Sequence, residues 1–324
     1  MKVFDCHSDI LTDVTIKRMQ GKKDILLNYH IERLRKGNVG GTILVVWVDP
    51  PFDNNPMQRM LEILGATCEE IKDAKDCAAI AYNYDDVQRI QQSGKLSIIL
   101  GMEGLSGLNG DISIISMLYK LGIRHAMLTW NEENEFATGV LGTDRGRGVT
   151  VLGIEALKKM ESLGMIIDVS HANEKTFWDV YENTTVPFIA SHSNAYSICN
   201  SNRNLKDDQI KAIAERGGVM GMNAWPDFID KQKPTAEKLA EHVDYIASLV
   251  GIDYISLGFD FCDFLQTDTT ASFQESAATA TEGIENSSKI PHFLNILLKK
   301  GYSDEDIEKI AYKNIMRVIK QVLK

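Results

Sequence analysis

The sequence predicts an α/β fold, a (β/α)8 TIM barrel built as one domain over residues 1–324. Three observations lead there: eight short runs rich in Val and Ile, a helix-like segment after nearly every run, and no Pro/Gly/Ser-rich linker dividing the 324 residues. The runs lie near 2–7, 41–48, 96–102, 122–129, 164–170, 186–191, 217–223 and 253–259. Several are apolar almost throughout, TILVVWV and SIILGM among them, as expected of parallel strands covered on both faces. An open, doubly wound sheet of eight strands would leave much the same pattern.

Between the runs, apolar residues recur at helical spacing over 151–163 (VLGIEALKKMESL), 173–182, 207–216, 234–250 and 303–323. Two connections exceed the usual length, 131–150 and 261–287, the second with an Ala/Thr-rich stretch at 270–281. Long connections inside a compact domain are commonly functional. Both follow strands, which places them on the C-terminal face of a barrel, where active sites of this architecture lie.

Composition narrows the class. Apolar residues at 44% and charged residues at 25% suit a globular chain with a sizeable core. The 45 Asp and Glu against 35 Lys and Arg, a formal net charge of −10, argue against a nucleic-acid partner, which needs a basic face. The start, MKVFDCHSD, meets Asp5 before any apolar leader could form, and no run approaches the ~20 apolar residues of a membrane span, so a cytoplasmic protein with no membrane partner is expected. Cysteines at positions 6, 68, 77, 199 and 262 form no CxxC pair, which fits reduced, mostly buried thiols. A homodimer is compatible with a chain of this size.

The chemistry is concentrated at strand ends. His7, His171 and His192 stand at the C-terminal ends of the first, fifth and sixth runs, and Asp9, Glu103 and Asp260 follow the first, third and eighth. In a barrel these six side chains meet at one mouth. Imidazoles and carboxylates without thiolates are the ligand types of a hydrolytic divalent-metal site, and a carboxylate can bridge two ions. His7 and Asp9, two residues apart, share a face if the chain there is extended. Glu103 lies between Gly101 and Gly104, which let the backbone bend. Any one of these residues alone has an ordinary explanation: a hydrogen-bonded structural histidine, as expected of His30, His125, His242 and His292, or a helix cap for Asp9 and Glu103. Six at five strand ends favour a metal site.

These residues sit in DCHSD, GMEG, LTWNEEN, IIDVSHAN, ASHSNAYSICNSNRNLKDDQIKAIAERGGVMGMN and SLGFDF, and with a final KIAYKNIMRVI helix the chain resembles the renal (membrane) dipeptidase family of zinc hydrolases over nearly its full length. The resemblance implies a (β/α)8 barrel holding two zinc ions, joined by a carboxylate and a hydroxide, that cleaves dipeptides. Carried over by residue, it implies His7 and Asp9 on the first ion, His171 and His192 on the second, and Glu103 between them. It also implies that Arg203 grips the substrate's C-terminal carboxylate and that Asp260 moves protons; without the resemblance Arg203 reads as a surface charge. One position departs: where active family members carry a histidine in an LTHN-like motif, thought to polarise the scissile carbonyl, this chain has Trp130, whose indole N–H is a neutral donor.

The expected function is therefore a dinuclear zinc dipeptidase, acting on short dipeptides with an L- or D-residue at the C-terminal side. The ligand set alone also accommodates manganese, cobalt or iron. Two other readings stay open: a metal-dependent hydrolase of another amide, a lactam or an ester, and a ligand-binding barrel that has lost catalysis, for which Trp130 is the feature.

Overall fold

The computed structural model describes residues 1–275 and 277–324. Its strands are β1 (Val3–Ser8), β2 (Val39–Trp47), β3 (Ala78–Ile80), β4 (Leu96–Glu103), β5 (Ile123–Met127), β6 (Ile166–Asp168), β7 (Met220–Met222) and β8 (Ile255–Leu257). All pair in parallel in the spatial order β6-β5-β4-β2-β1-β8-β7. Single parallel bridges from Asp168 to Ile189 and from Ala190 to Met220 insert residues 189–190 between β6 and β7 and close the ring. The expected strand at 186–191 is therefore present only as these two bridges. The barrel architecture holds, with helices wrapped around the sheet.

β3 lies outside the eight expected runs. It pairs with the first half of β4, from Ala78–Leu96 to Ile80–Ile98, whereas β5 takes the second half from Leu100 onward. Three residues, Ala-Ala-Ile, are too short to show a period. The helices at Val151–Leu163, Glu174–Asn183, Asp207–Glu215 and Ala236–Val250 lie within two residues of their expected bounds. The last one runs as expected over Asp304–Val322 but contains a π-helical turn at Lys309–Lys313. Among the described residues no helix is long and apolar enough to cross a membrane.

Alternation along the strands divides the core. One set of side chains, including Phe4, Cys6, Ile43, Val45, Ile99, Ile166 and Ile189, fills the barrel interior and is joined by Ile315, Val318 and Ile319 of the last helix. The other set packs sheet against helices. Strand pairing is irregular between Asp5 and Ser8, and this break in alternation lets His7 turn toward the mouth. Cys6, Cys77 and Cys199 are buried and all five thiols are free, Cys68 being exposed and Cys262 partly so.

Where the ring is narrowest, backbone approaches backbone. A Cβ on Gly258 would lie 1.6 Å from the Ser191 carbonyl oxygen, and one on Gly221 would lie 1.9 Å from it. Because main chain cannot retreat as a flexible side chain can, Gly258→Ala is expected to cost about 3 kcal/mol in denaturant unfolding. Gly65, exposed in the helix Pro56–Asp73 with nothing within 4 Å of an added Cβ, gives the opposite sign: Gly65→Ala stabilises by roughly 0.5–1 kcal/mol.

Candidate active site

The six strand-end residues converge. His7 and Glu103 end β1 and β4, and His171, His192 and Asp260 follow β6, the 189–190 segment and β8. The Glu103 carboxylate is shared: Oε2 lies 3.3 Å from His7 Nε2, while Oε1 lies 2.8 Å from His171 Nε2 and 3.7 Å from His192 Nε2. Asp9 and Asp260 approach the His7 side, at 3.7 and 3.8 Å from its Nε2. Ligand atoms of His7, Glu103 and His192, and again of His7, Asp9 and Asp260, fall within 4.8 Å of one another.

Asp9 joins the site for a different reason than expected. It is past the strand, at φ −87° and ψ 21°, immediately before the helix Ile10–Met19. Extended-chain alternation therefore does not place it; the turn into the helix does. It makes no side-chain cap bond to that helix, so the capping alternative is not realised.

Hydrogen bonds around the site fix which imidazole nitrogens are bare. His171 Nδ1 donates to Asn131 Oδ1 at 2.8 Å, leaving Nε2 unprotonated. Ser191 Oγ gives its hydrogen to the Asp168 carboxylate and so accepts from His192 Nδ1 at 2.7 Å, which leaves His192 Nε2 bare as well. These two bare Nε2 atoms face each other at 2.9 Å, an arrangement that calls for a cation. His7 Nδ1 and Nε2, Asp9 Oδ1 and Glu103 Oε2 are buried without a hydrogen-bond partner among the described residues. Leaving such atoms unmatched costs about 1–3 kcal/mol each, more if charged. The donor set fits a divalent metal at Glu103.

The charges within the cluster shift one another strongly. Burial, with Asp9 and Asp260 close by, pushes Glu103 up to about 8 against the pull of His7. Burial disfavours the charged form of His7, yet the Glu103 and Asp9 carboxylates outweigh it and hold the imidazole well above its ordinary range. Burial, then the Arg203 and His7 charges, holds His171 and His192 well below theirs, so both are neutral, as metal ligands must be. Asp260 is raised by its enclosure, is fixed by Asn223 Nδ2 at 3.0 Å, and takes a left-handed backbone with φ +56°.

Arg203 is buried, 6% exposed, which excludes a free surface charge. Its Nη2 donates to His171 Nε2 at 3.0 Å, its Nη1 bonds the Ser170 carbonyl, and its guanidinium stands over the Phe228 ring. Burial lowers it to about 10, so it remains a cation at neutral pH. Trp130 is partly buried beside His171, with ring centroids 6.0 Å apart, and lines the cavity with Arg203, Asp260, Glu103 and Asp9. The long connections supply other walls, Val140 and Leu141 from one and Cys262 and Phe273 from the other.

Three of the four remaining histidines are bonded within the fold, as expected: His30 bonds Asp13, His125 bonds Asp168, and His242 bonds the Ile229 carbonyl and the Ala195 N–H; His292 is exposed. Sequence reasoning missed Asn131, Asp168, Ser191, Asn223 and Trp47. The available signal was position: Asp168 and Ser191 are polar residues inside apolar strand ends, just before His171 and His192.

The whole chain, residues 1–324, matches the family described as membrane dipeptidase, peptidase family M19. A Schizosaccharomyces pombe protein named as an uncharacterized dipeptidase is 32% identical over 351 aligned residues, covering 99% of this chain and 80% of its own length. Among solved structures, a family M19 metallopeptidase called dipeptidase AC superposes with a TM-score of 0.87 at 23% identity, over 100% of this chain and 99% of that one. A Rhodobacter sphaeroides metallopeptidase, carrying a phosphinate mimic of the dipeptide L-Ala-D-Ala, has a TM-score of 0.87 at 21% identity, over 99% of each chain. At such identities the two structures establish the shared barrel.

Asp168 organises the layer beneath the ligands. It accepts from His125 Nε2 at 2.8 Å, Ser170 N at 2.9 Å, Ser170 Oγ at 2.7 Å and Ser191 N at 3.1 Å, besides Ser191 Oγ. Burial would raise its pKa, but the His125, Ser191 and Ser170 bonds outweigh it and bring the group down from 3.8 to about 2. A depressed carboxyl stabilises the fold above its unfolded pKa, and that stability is lost as pH falls through the folded value. Asp168→Asn is expected to cost roughly 3 kcal/mol at pH 7. In denaturant titrations the difference from the parent should shrink between about pH 4 and pH 2; a difference constant over that range contradicts an ionised Asp168.

Proposed function

The chain belongs to the membrane dipeptidase family, peptidase family M19, and is a metal-dependent dipeptidase; from that premise we propose that it works with two divalent ions, zinc by family, held by His7 and Asp9 on one side, His171 and His192 on the other, and Glu103 between. The observation that carries the reading is the division of the Glu103 oxygens, Oε2 toward His7 and Oε1 toward His171 and His192. The ions, when bound, supply a water acidified toward neutrality and an electrophile for a carbonyl oxygen.

The other roles belong to this chain's own side chains. Asp260, held by Asn223 and reaching the cavity, takes a proton from the attacking water and delivers it to the leaving amine. Arg203 orients the substrate by paired hydrogen bonds to the free C-terminal carboxylate, which explains a restriction to very short peptides. A metal held by His171 Nε2 would take the place of the Arg203 bond to that nitrogen and would leave Nη2 for substrate. Trp130 forms a wall beside His171 and offers only a neutral donor to the scissile carbonyl. The ligand mimicking L-Ala-D-Ala in the R. sphaeroides structure supports including a D-residue at the C-terminal side among the substrates.

Dialysis against a chelator should abolish hydrolysis of L-Ala-L-Ala and L-Ala-D-Ala, and added zinc should restore it with two ions per chain by elemental analysis. Zinc-loaded protein inactive on a broad L-Xaa-L-Xaa and L-Xaa-D-Xaa library contradicts the reading. Arg203→Ala should raise KM about 10–100-fold for free dipeptides, since hydrogen bonds to charged groups are worth about 1.5–3 kcal/mol. Dipeptide amides, which lack the carboxylate, should be poor substrates of the parent and no poorer for the variant.

A further inference from the structure

Resting on the dipeptidase reading, we propose that the site selects dipeptides whose N-terminal residue bears an aromatic or comparably large apolar side chain, seated in a box of Trp47, Trp130, Trp225 and Phe273. The four rings line the same cavity as Glu103, His171, Arg203 and Asp260. They form a connected set, with centroids 5.1 Å apart for Trp47–Trp130 and Trp225–Phe273, 6.0 Å for Trp47–Phe273 and 6.1 Å for Trp130–Phe273. Each of these four contacts is tilted or edge-on, the arrangements in which aromatic rings also receive a further ring.

Topology decides which end of the substrate meets the box. Arg203 follows the 189–190 segment and bonds the main chain of Ser170 and His192. In the closed order β1, β2, β4, β5, β6, 189–190, β7, β8, that segment stands opposite β2. Trp47 ends β2, in register with Glu103 of β4. A dipeptide with its carboxylate on Arg203 and its scissile bond over Glu103 therefore directs its N-terminal side chain across the mouth toward Trp47. Trp130, standing where the resembling family carries a histidine, adds to the apolar wall on that side.

A lysine side chain is the competing occupant, because a cage of rings also attracts cations. Trp47 adjoins Glu103, however, so two bound ions place positive charge directly beneath the box and disfavour a second cation there. Glu275, the acidic residue lining the cavity from the same connection as Phe273, is exposed and lies at the rim.

The test is kcat/KM of the zinc-loaded full chain on L-Xaa-Gly with Xaa = Gly, Ala, Leu, Phe, Trp and Lys. Burial of a phenyl group predicts a rise of about tenfold or more from Ala to Phe, with Lys well below Phe. Phe273→Ala, and the milder Phe273→Leu, should cut the Phe-to-Ala ratio about fivefold or more, mainly through KM. A flat or falling series with Ala-Gly turned over overturns the box and leaves the dipeptidase reading intact. Lys-Gly as the best substrate also overturns it, in favour of a cation cage. No turnover across the whole series overturns the box, and the dipeptidase reading is then decided by the L-Xaa-L-Xaa and L-Xaa-D-Xaa library.

Discussion

A single buried carboxylate sets the terms for this structure. Glu103 places one oxygen against His7 and the other against His171 and His192, and Asp9 and Asp260 crowd the His7 side. Three carboxylates and three imidazoles packed together, two with bare nitrogens face to face, form a stable arrangement only if positive charge is delivered among them, since buried charges without partners cost several kcal/mol each. Arg203 supplies part of it, at the edge of the cluster. A bound metal would supply the rest, and the closed ring of strands brings residues from His7 to Asp260 to one place.

The layer beneath makes the ligands rigid. Asp168 holds Ser191 and Ser170, Ser191 orients His192, and Asn131 orients His171. His125 reaches Asp168 from the neighbouring strand, and Gly101 provides the space, because a Cβ there would lie 2.4 Å from His125 Nδ1. Gly104 has φ +83° and leaves room for the Trp130 backbone. The glycines flanking Glu103 therefore serve close packing around the site as much as bending of the chain. The strained backbone of Asp260 belongs to the same design, a locally unfavourable conformation retained where a functional side chain must be aimed.

Much of this was legible in the sequence, and the exceptions have physical causes. The barrel and its strand-end ligands could be read because parallel strands are continuous apolar runs and the polar residues that end them stand out. β3 escaped notice because three residues carry no periodicity, and 186–191 was overestimated because its apolar run contributes single bridges rather than a ladder. Extended-chain alternation does not bring Asp9 to the cluster, since the turn into the first helix governs its carboxylate. Arg203 could not be read from local pattern as a buried group, because its partners lie at Ser170, His171 and His192, and only the family resemblance pointed to it. Asn131, Asp168 and Ser191 lie beside recognised residues, but their roles appear only when hydrogen-bond directions are known.

The substrate reading follows from the same frame: a fixed cation at Arg203, a cluster that demands ions at Glu103, and aromatic rings across the mouth. All of it depends on the Glu103 carboxylate standing between two ions. Anomalous diffraction at the zinc edge from crystals of the zinc-loaded protein tests this directly. The account predicts two peaks about 3.5–4 Å apart, one within ligand distance of His7, Asp9 and Glu103, the other within ligand distance of His171, His192 and Glu103. A single peak, or zinc bound away from Glu103, would contradict it.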